Sequence, residues 1–230
     1  MFIYKIKRMT NHMVLLHHER EENMIEKICN SITRKMREQI PDINDERAEV
    51  INYGLQLIIG EIPKLILLFA LAAIFKIAPL VIFAYISMLP YKIVAGGFHL
   101  KTNIGCTIGT LLIYYGNVFI SKNIVFQPEW LKLLSAGFIW ILSIIMIRKY
   151  APADTMNLPI LRKKDRRIKK NLSYLFAILT LIVGLIIKNN TLSNILIFNV
   201  LIETLCITQL AYKITKNEYG YRTYLKQELI

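Results

Sequence analysis

The feature that most constrains this chain is a series of long apolar runs along its 230 residues. Hydrophobic residues make up 54% of the sequence, and they are clustered rather than spread evenly. Several runs approach the roughly 20 residues that a helix needs to cross a bilayer. The sequence therefore predicts an all-α, polytopic integral membrane protein with about six transmembrane helices. The predicted spans cover residues 50–75, 77–95, 104–120, 130–147, 171–187 and 191–212.

The charge of the chain is strongly positive, with a formal net value of +13. Binding of nucleic acid is one interpretation of such a charge. With so many apolar runs, membrane topology and anionic lipid head groups explain it better, and no nucleic-acid partner is predicted. Nine Lys/Arg residues lie between residues 148 and 170, whereas the connections on the opposite side carry Lys76, Lys122 and Lys188. This bias predicts a cell-membrane protein whose two termini and even-numbered connections are cytoplasmic.

The sequence divides into four parts. Residues 1–23 form an N-terminal extension of unknown role, in which a metal site at His12, His17 and His18 is an alternative interpretation. Residues 24–40 have the pattern of an amphipathic helix at the membrane interface, although a packed surface helix has the same pattern. Residues 44–212 form the transmembrane domain, and residues 213–230 form a cytoplasmic tail.

A polar cluster at residues 96–106 interrupts the apolar pattern and contains His99 and Cys106. A thiol becomes a nucleophile when a nearby imidazole takes its proton, and the pair then performs acyl transfer. In one unbroken helix the two Cα atoms would lie about 10.5 Å apart. The segment must therefore fold back, and Asn103 and Gly105 are residue types that permit a break.

After such a break, Cys106 lies near the first turn of the next helix, where the helix dipole favours the thiolate. An inert membrane cysteine beside an ordinary loop histidine remains the alternative. No second His/Cys pair follows at ligand spacing, so neither a metal nor a cofactor is predicted. Pro90 and the short apolar core of the second span also allow a re-entrant or broken segment at this site.

Three stretches of the sequence, in order, resemble the accessory gene regulator protein B (AgrB-like) family. This similarity extends from about residue 24 to the end of the chain. The stretches are Asn52-Tyr53-Gly54-Leu55-Gln56 with Glu61 and Lys64; Lys92-Ile93-Val94-Ala95-Gly96-Gly97-Phe98-His99 followed by Cys106; and Tyr150-Ala151-Pro152-Ala153-Asp154-Thr155 with Pro159-Ile160.

The resemblance implies a membrane cysteine endopeptidase that matures a quorum-sensing propeptide. Cys106 would be the nucleophile and His99 the general base and then acid. The enzyme would remove the acidic C-terminal tail of the propeptide and pass the acyl group, through a thioester, to an internal Cys or Ser. The product would be a cyclic thiolactone or lactone. The residues expected to bind substrate or support the site are Lys92, Gly96, Gly97, Gln56, Glu61, Lys64, Asp154, Lys163 and Lys164.

Two of these expectations have alternatives. The family usually has a basic residue, often arginine, where this chain has Lys92, and lysine lacks the bidentate fork of arginine. Gln56 and Glu61 either orient His99 or only satisfy polar groups within the helix bundle. The expected partners are the propeptide and anionic membrane lipids, with a homodimer as a candidate assembly.

A non-enzymatic transporter of peptides or small solutes is the rival function. Transporters place intramembrane charges at matched positions of two repeated halves. This sequence has Glu61 and Glu203 inside predicted spans, but it shows no convincing internal repeat.

Overall fold

A computed structural model describes residues 24–40, 43–100, 102–156 and 159–228 of the chain. The extension with His12, His17 and His18 lies outside these residues. The described residues are predominantly helical, and they divide into two compact units, residues 1–66 and 67–230. The helices are α1 (Met24–Gln39), α2 (Asp45–Ile74), α3 (Ala78–Ala95), α4 (Asn103–Asn123), α5 (Trp130–Tyr150), α6 (Lys163–Ile186), α7 (Asn190–Cys206), α8 (Gln209–Ile214) and α9 (Gly220–Glu228).

The first unit contains α1 and most of α2. The amphipathic pattern of residues 24–40 does form a helix. Asn44 caps α2 because its side-chain oxygen accepts the Arg47 N–H at 2.9 Å. Hydrogen bonding of Asn52 to Asn30 then connects α2 to α1.

Five helices of the described chain, α2 to α6, are long and apolar enough to cross a membrane. This confirms the predicted class, an all-α polytopic membrane protein. Two boundaries differ clearly from their predictions, the start of the fifth span and the end of the sixth. Helix α6 begins at Lys163, about two turns before the predicted fifth span, so that the basic residues 163–170 belong to a helix and not to a loop.

The predicted sixth span is the shorter α7, and it is the central helix of the second unit. Its 17 residues have a length of about 25 Å, which is less than the ~30 Å hydrocarbon core. It packs against α3, α4, α5 and α6. Ten of its residues are buried: Ser193, Asn194, Ile195, Leu196, Ile197, Asn199, Val200, Glu203, Thr204 and Cys206.

Polar side chains connect α7 to the helices around it. Asn199 donates to the Ala84 carbonyl oxygen at 3.0 Å and accepts from the Asn117 amide at 2.7 Å. Thr204 shares hydrogen bonds with Tyr91 at 3.0 Å and with Ser143 at 2.9 Å. Such groups are costly in an apolar interior unless they are paired, so these bonds fix the position of α7.

The segment after α7 folds back onto the bundle. Thr208 caps α8, and Tyr212 and Tyr219 are buried, with their rings stacked 4.1 Å apart. Burial raises the pKa of Tyr219, so its hydroxyl stays protonated and donates to the Ile207 carbonyl oxygen at 2.9 Å. The predicted tail, residues 213–230, therefore contains an anchored part that includes α9.

Candidate active site

The reactive segment, residues 96–106, connects α3 to α4 at one end of the second unit. Helix α3 ends at Ala95 because Gly96 adopts a positive φ of 79°, a conformation that glycine tolerates. The backbone is non-helical from Gly97 to Leu100, and the Thr102 side chain caps α4 by accepting the Gly105 N–H at 3.1 Å. The sequence predicted this break and a new helix start just before Cys106.

Gly96 and Gly97 join the reactive segment to the connection between α5 and α6. The Gly97 N–H donates to the Ala153 carbonyl oxygen at 2.9 Å, and the Ala153 N–H donates to the Ala95 carbonyl oxygen at 2.7 Å. A Cβ atom on Gly96 would overlap the Ala153 carbonyl oxygen. Gly96 is thus required for close backbone approach, and Gly97 adopts a φ of 150° that side chains rarely allow, so both expected glycines have a positioning role.

His99 lies in this non-helical stretch with its side chain exposed. Its backbone is held from the other end of the chain, because the Asn217 amide donates to the His99 carbonyl oxygen at 2.7 Å. Asn217 is itself fixed by a bond to the Thr215 hydroxyl at 2.9 Å. The segment between α8 and α9 therefore sets the backbone position of the histidine.

Cys106 is half-buried in the first turn of α4, where its N–H donates to the Thr102 carbonyl oxygen at 2.9 Å. The positive end of the α4 dipole favours negative charge in this turn. Lys92 lies near the end of α3, where its carbonyl oxygen accepts the Gly96 N–H at 3.0 Å. A helix start is one of the environments that make a cysteine thiolate available.

An ion pair between α3 and α7 lies next to the reactive segment. Lys92 Nζ is 3.7 Å from Glu203 Oε2, and the Glu203 side chain is fully buried on α7. Neither Glu203 oxygen forms a hydrogen bond within the described residues. A Cβ atom on Gly97 would lie 3.7 Å from Glu203 Oε1, so the carboxylate is directly behind the loop that carries His99.

Comparison with known proteins identifies the family. The family model for accessory gene regulator B matches residues 26–207. The chain belongs to the accessory gene regulator B family. The predicted family is thereby confirmed, and the chain is a multi-pass membrane protein of accessory gene regulator peptide processing.

Several curated relatives have the same family name. An AgrB-like protein of Listeria monocytogenes is 26% identical over 77% of this chain and 84% of its own length. One from Clostridium acetobutylicum is 25% identical over 90% and 98%, and one from Clostridium perfringens is 29% identical over 64% and 70%. No solved structure matches the chain significantly.

In this member of the accessory gene regulator B family, Asp154 is the buried centre of the α5–α6 connection. Its Oδ2 accepts from the Ile160 N–H at 2.9 Å, from Arg166 Nη1 at 2.9 Å and from the Tyr221 N–H at 3.1 Å. It joins the connection to α6 and α9. The structure thus places Asp154 in the scaffold beside the reactive segment, and it leaves Lys163 and Lys164 exposed on the first turn of α6.

Gln56, Glu61 and Lys64 all belong to the first unit and are described within it. Gln56 donates to the Asn52 side-chain oxygen at 2.9 Å. Lys64 and Glu61 form an ion pair at 2.7 Å, one turn apart on α2. The expected orientation of His99 by Gln56 and Glu61 stays a prediction.

Two residues that the sequence did not assign to the site are Glu203 and Asn217. A carboxylate in an apolar span indicates function, and this was the only feature of Glu203 that could be recognised from the sequence. Its pairing with Lys92 depends on how α3 and α7 pack. Asn217 carried no signal, because it lies 118 residues from the histidine that it holds.

Proposed function

We propose that this chain is a membrane cysteine endopeptidase and acyl transferase that processes a quorum-sensing propeptide. The observation that carries the proposal is the placement of Cys106 in the first turn of a capped helix, directly after the exposed His99 loop. A thiol and an imidazole are the pair of groups that acyl transfer from a peptide bond needs.

In the first step, His99 takes the Cys106 proton and the thiolate attacks the scissile carbonyl carbon. The tetrahedral intermediate then collapses as the C–N bond breaks, and His99 gives its proton to the leaving amine. The N-terminal part of the propeptide remains on Cys106 as a thioester. In the second step an internal Cys or Ser of the propeptide attacks this thioester, a ring closes, and the proton of the attacking group returns to Cys106 through His99.

Lys92 and Glu203 have a supporting role in this mechanism. The Lys92 cation can attract a carboxylate of the propeptide, and the buried Glu203 carboxylate, 3.7 Å from Lys92 Nζ, keeps that cation in place. Glu203 acts through Lys92 and the Gly97 backbone, so it is a positioning residue. This pairing replaces the bidentate geometry that an arginine would offer at residue 92.

Donors to the developing oxyanion come from the start of α4. The N–H groups of Gly105 and Cys106 already donate to the Thr102 side chain and carbonyl oxygen. The N–H groups of Asn103 and Ile104 occupy the first helical positions, which have no intrahelical acceptor. We assign oxyanion stabilisation to these two groups.

The charge distribution supports a cytoplasmic position for the site and both termini, so that the propeptide meets the enzyme where it is made. Gln56, Glu61 and Lys64, together with Lys163 and Lys164, are proposed to contact the propeptide, and a homodimer remains the proposed assembly. Anionic lipids are the proposed surroundings.

The test is incubation of the purified chain in lipid with the propeptide encoded nearby, followed by mass spectrometry. We expect a released C-terminal tail and a cyclic product that lacks one water relative to the linear signal portion. A Cys106→Ser variant at the same level in the membrane should release far less tail. Equal tail release by this variant would contradict the proposal.

A further inference from the structure

A basic cavity of about 410 Å³ lies at the C-terminal end of α5 and the N-terminal end of α6, beside the α5–α6 connection. Five of its lining side chains are cationic, and among the described residues that line it none is acidic. Asp154 neutralises only Arg166. The cationic lining residues are Lys149, Arg166, Arg167, Lys170 and Arg222.

The walls of this cavity are held in place by contacts that leave further donors available. Lys170 Nζ donates to the Arg148 carbonyl oxygen at 2.6 Å, which uses one of its three donors. Arg222 lies over the Tyr219 ring at 4.8 Å and donates to the Lys149 carbonyl oxygen at 3.3 Å. Lys170 and Arg222 are therefore held in position at the wall of the cavity.

A second cavity, apolar and of about 380 Å³, lies between the same two helices. Ile147 and Ala177 form its buried floor, while Trp140 and Leu175 are 43% and 47% exposed at its rim. These partly exposed apolar side chains belong to two candidate membrane spans, so the cavity faces lipid.

The two cavities follow one stripe on each helix. On α5 the lining residues Trp140, Ile144, Ile147 and Tyr150 recur at steps of three and four, and Arg167, Lys170, Tyr174 and Ile178 do so on α6. Such residues share a helix face. From Arg167 to Ile178 the stripe extends about 16 Å at 1.5 Å per residue. This is about half of the ~30 Å hydrocarbon core, or one leaflet.

We propose that this groove between α5 and α6 binds one anionic phospholipid of the adjacent leaflet. The phosphate lies among Arg167, Lys170 and Arg222, and an acyl chain lies against Ile144, Ile147 and Leu175. The cations are at head-group level because they occupy the last turn of one span and the first turns of the next. An acidic peptide would match the basic cavity alone, whereas a phospholipid matches both cavities and the length that separates them.

This site is independent of the catalytic proposal, since none of its lining residues belongs to the reactive segment. It does, however, connect lipid to the scaffold of that segment. Ala151 and Pro152 line the basic cavity, and the next residue, Ala153, is bonded to Gly97.

The test is native mass spectrometry of the full chain released from mixed vesicles of phosphatidylglycerol and phosphatidylcholine with identical acyl chains. We expect one retained phosphatidylglycerol in the parent. Retention should fall about tenfold in Arg167→Gln/Lys170→Gln. The matched control is Lys163→Gln/Lys164→Gln, which removes the same charge from the same helix outside the cavity and should retain the lipid like the parent.

A second variant separates a lipid from other anions. Leu175→Trp fills the apolar cavity without changing charge, so it should reduce phosphatidylglycerol retention while leaving binding of inorganic phosphate and of an oligoglutamate peptide unchanged. Thermal unfolding of each variant verifies that the bundle is intact, and Ile144→Trp fills the same cavity from α5 if Leu175→Trp does not fold. Three results would overturn the proposal: equal retention of the two lipids by the parent, equal loss of phosphatidylglycerol in both charge variants, or a parent that binds oligoglutamate but retains no lipid.

Discussion

The two connections at the reactive end of the second unit are bonded to each other, yet they are built differently. The reactive segment exposes the His99 side chain and half exposes Cys106. In the α5–α6 connection, by contrast, residues 151–154 are all buried, and Asp154 accepts three hydrogen bonds. The reactive segment thus exposes the reactive side chains, and the α5–α6 connection holds that segment in place.

This difference separates reactivity from stability. Side chains that react must meet a substrate, so they contribute little burial. Their geometry has to come from neighbours whose own positions are fixed by packing and hydrogen bonds. Substitutions of His99 and Cys106 should therefore remove activity and leave unfolding almost unchanged. Substitutions at the contact between the two connections should lower both.

The largest expected effect is at the two reactive side chains. Cys106→Ala and His99→Ala should each lower propeptide cleavage by about a thousandfold or more, because each removes a member of one proton-transfer unit. Their melting temperatures should stay within a few degrees of the parent. Quantitative tail release and thermal unfolding in the same detergent measure both.

Cys29→Ala is the control for the dyad. Burial raises the pKa of the Cys29 thiol, with Glu26 adding to the effect, so this cysteine is held as the unreactive thiol at neutral pH. Its replacement should leave cleavage near the parent rate, and Cys206→Ala should do so as well. A large loss of cleavage in Cys29→Ala would mean that the loss in Cys106→Ala is not specific to Cys106.

The next effect is at the contact between the two connections. Gly96→Ala places a Cβ atom against the Ala153 carbonyl oxygen and at a positive φ, so it should cost about 3 kcal/mol or more of unfolding free energy. Cleavage should fall about a hundredfold in the protein that still folds. Gly116→Ala is the matched control, because a Cβ there meets nothing within 4 Å and alanine favours a helix. Equal melting temperatures for the two variants would contradict a stabilising contact between the two connections.

A smaller effect is expected at the ion pair of Lys92 and Glu203. Glu203→Gln keeps the shape of the side chain but leaves the partly exposed Lys92 cation without its carboxylate, so cleavage should fall roughly 10- to 100-fold and the melting temperature should also fall. The double variant Lys92→Met/Glu203→Gln should recover stability without recovering activity. Recovery of both by the double variant would reduce the pair to a structural contact.

The smallest effect is at the hydrogen bond to the His99 backbone. Asn217→Ala removes one donor from the His99 carbonyl oxygen, which corresponds to about 1 kcal/mol or a fivefold loss in kcat/KM. Asn123→Ala removes a comparable bond, to the Phe119 carbonyl oxygen, far along α4 and should not change cleavage. Indistinguishable kcat/KM for the two variants would remove Asn217 from the account.

Much of the fold was predictable because apolar length sets helix positions in a membrane protein. A helix break between His99 and Cys106 was also predictable from their spacing, but the chain leaves α3 at Gly96, and the expected breakers Asn103 and Gly105 lie in the first turn of α4. The predicted sixth span extended too far, to residue 212, because the apolar pattern continues through Ile207. The chain instead ends α7 at Cys206, and Thr208 caps a separate helix.

The supporting part of the site was not predictable from local sequence. Glu203 meets Lys92 only because α7 packs at the centre of the bundle, and Asn217 reaches His99 only because the segment after α7 folds back. Asp154 was selected by family resemblance, but its three hydrogen bonds come from α6, α9 and its own connection. These contacts depend on tertiary packing, on which short-range patterns carry no information.

The central claim is that Cys106 carries the acyl group between cleavage and ring closure. Forming a thioester from a peptide bond is uphill, so the intermediate accumulates only when the next step is blocked or the released tail is removed. A propeptide without its internal Cys or Ser provides the block, and an added protease that degrades the tail prevents reversal.

Intact-mass measurement of the chain after incubation with this blocked propeptide tests the claim most directly. The account predicts an adduct with the mass of the signal portion on Cys106, removable by hydroxylamine, increased by degradation of the tail, and absent in Cys106→Ala. Rapid release of a linear, hydrolysed peptide with no adduct at any time would contradict it.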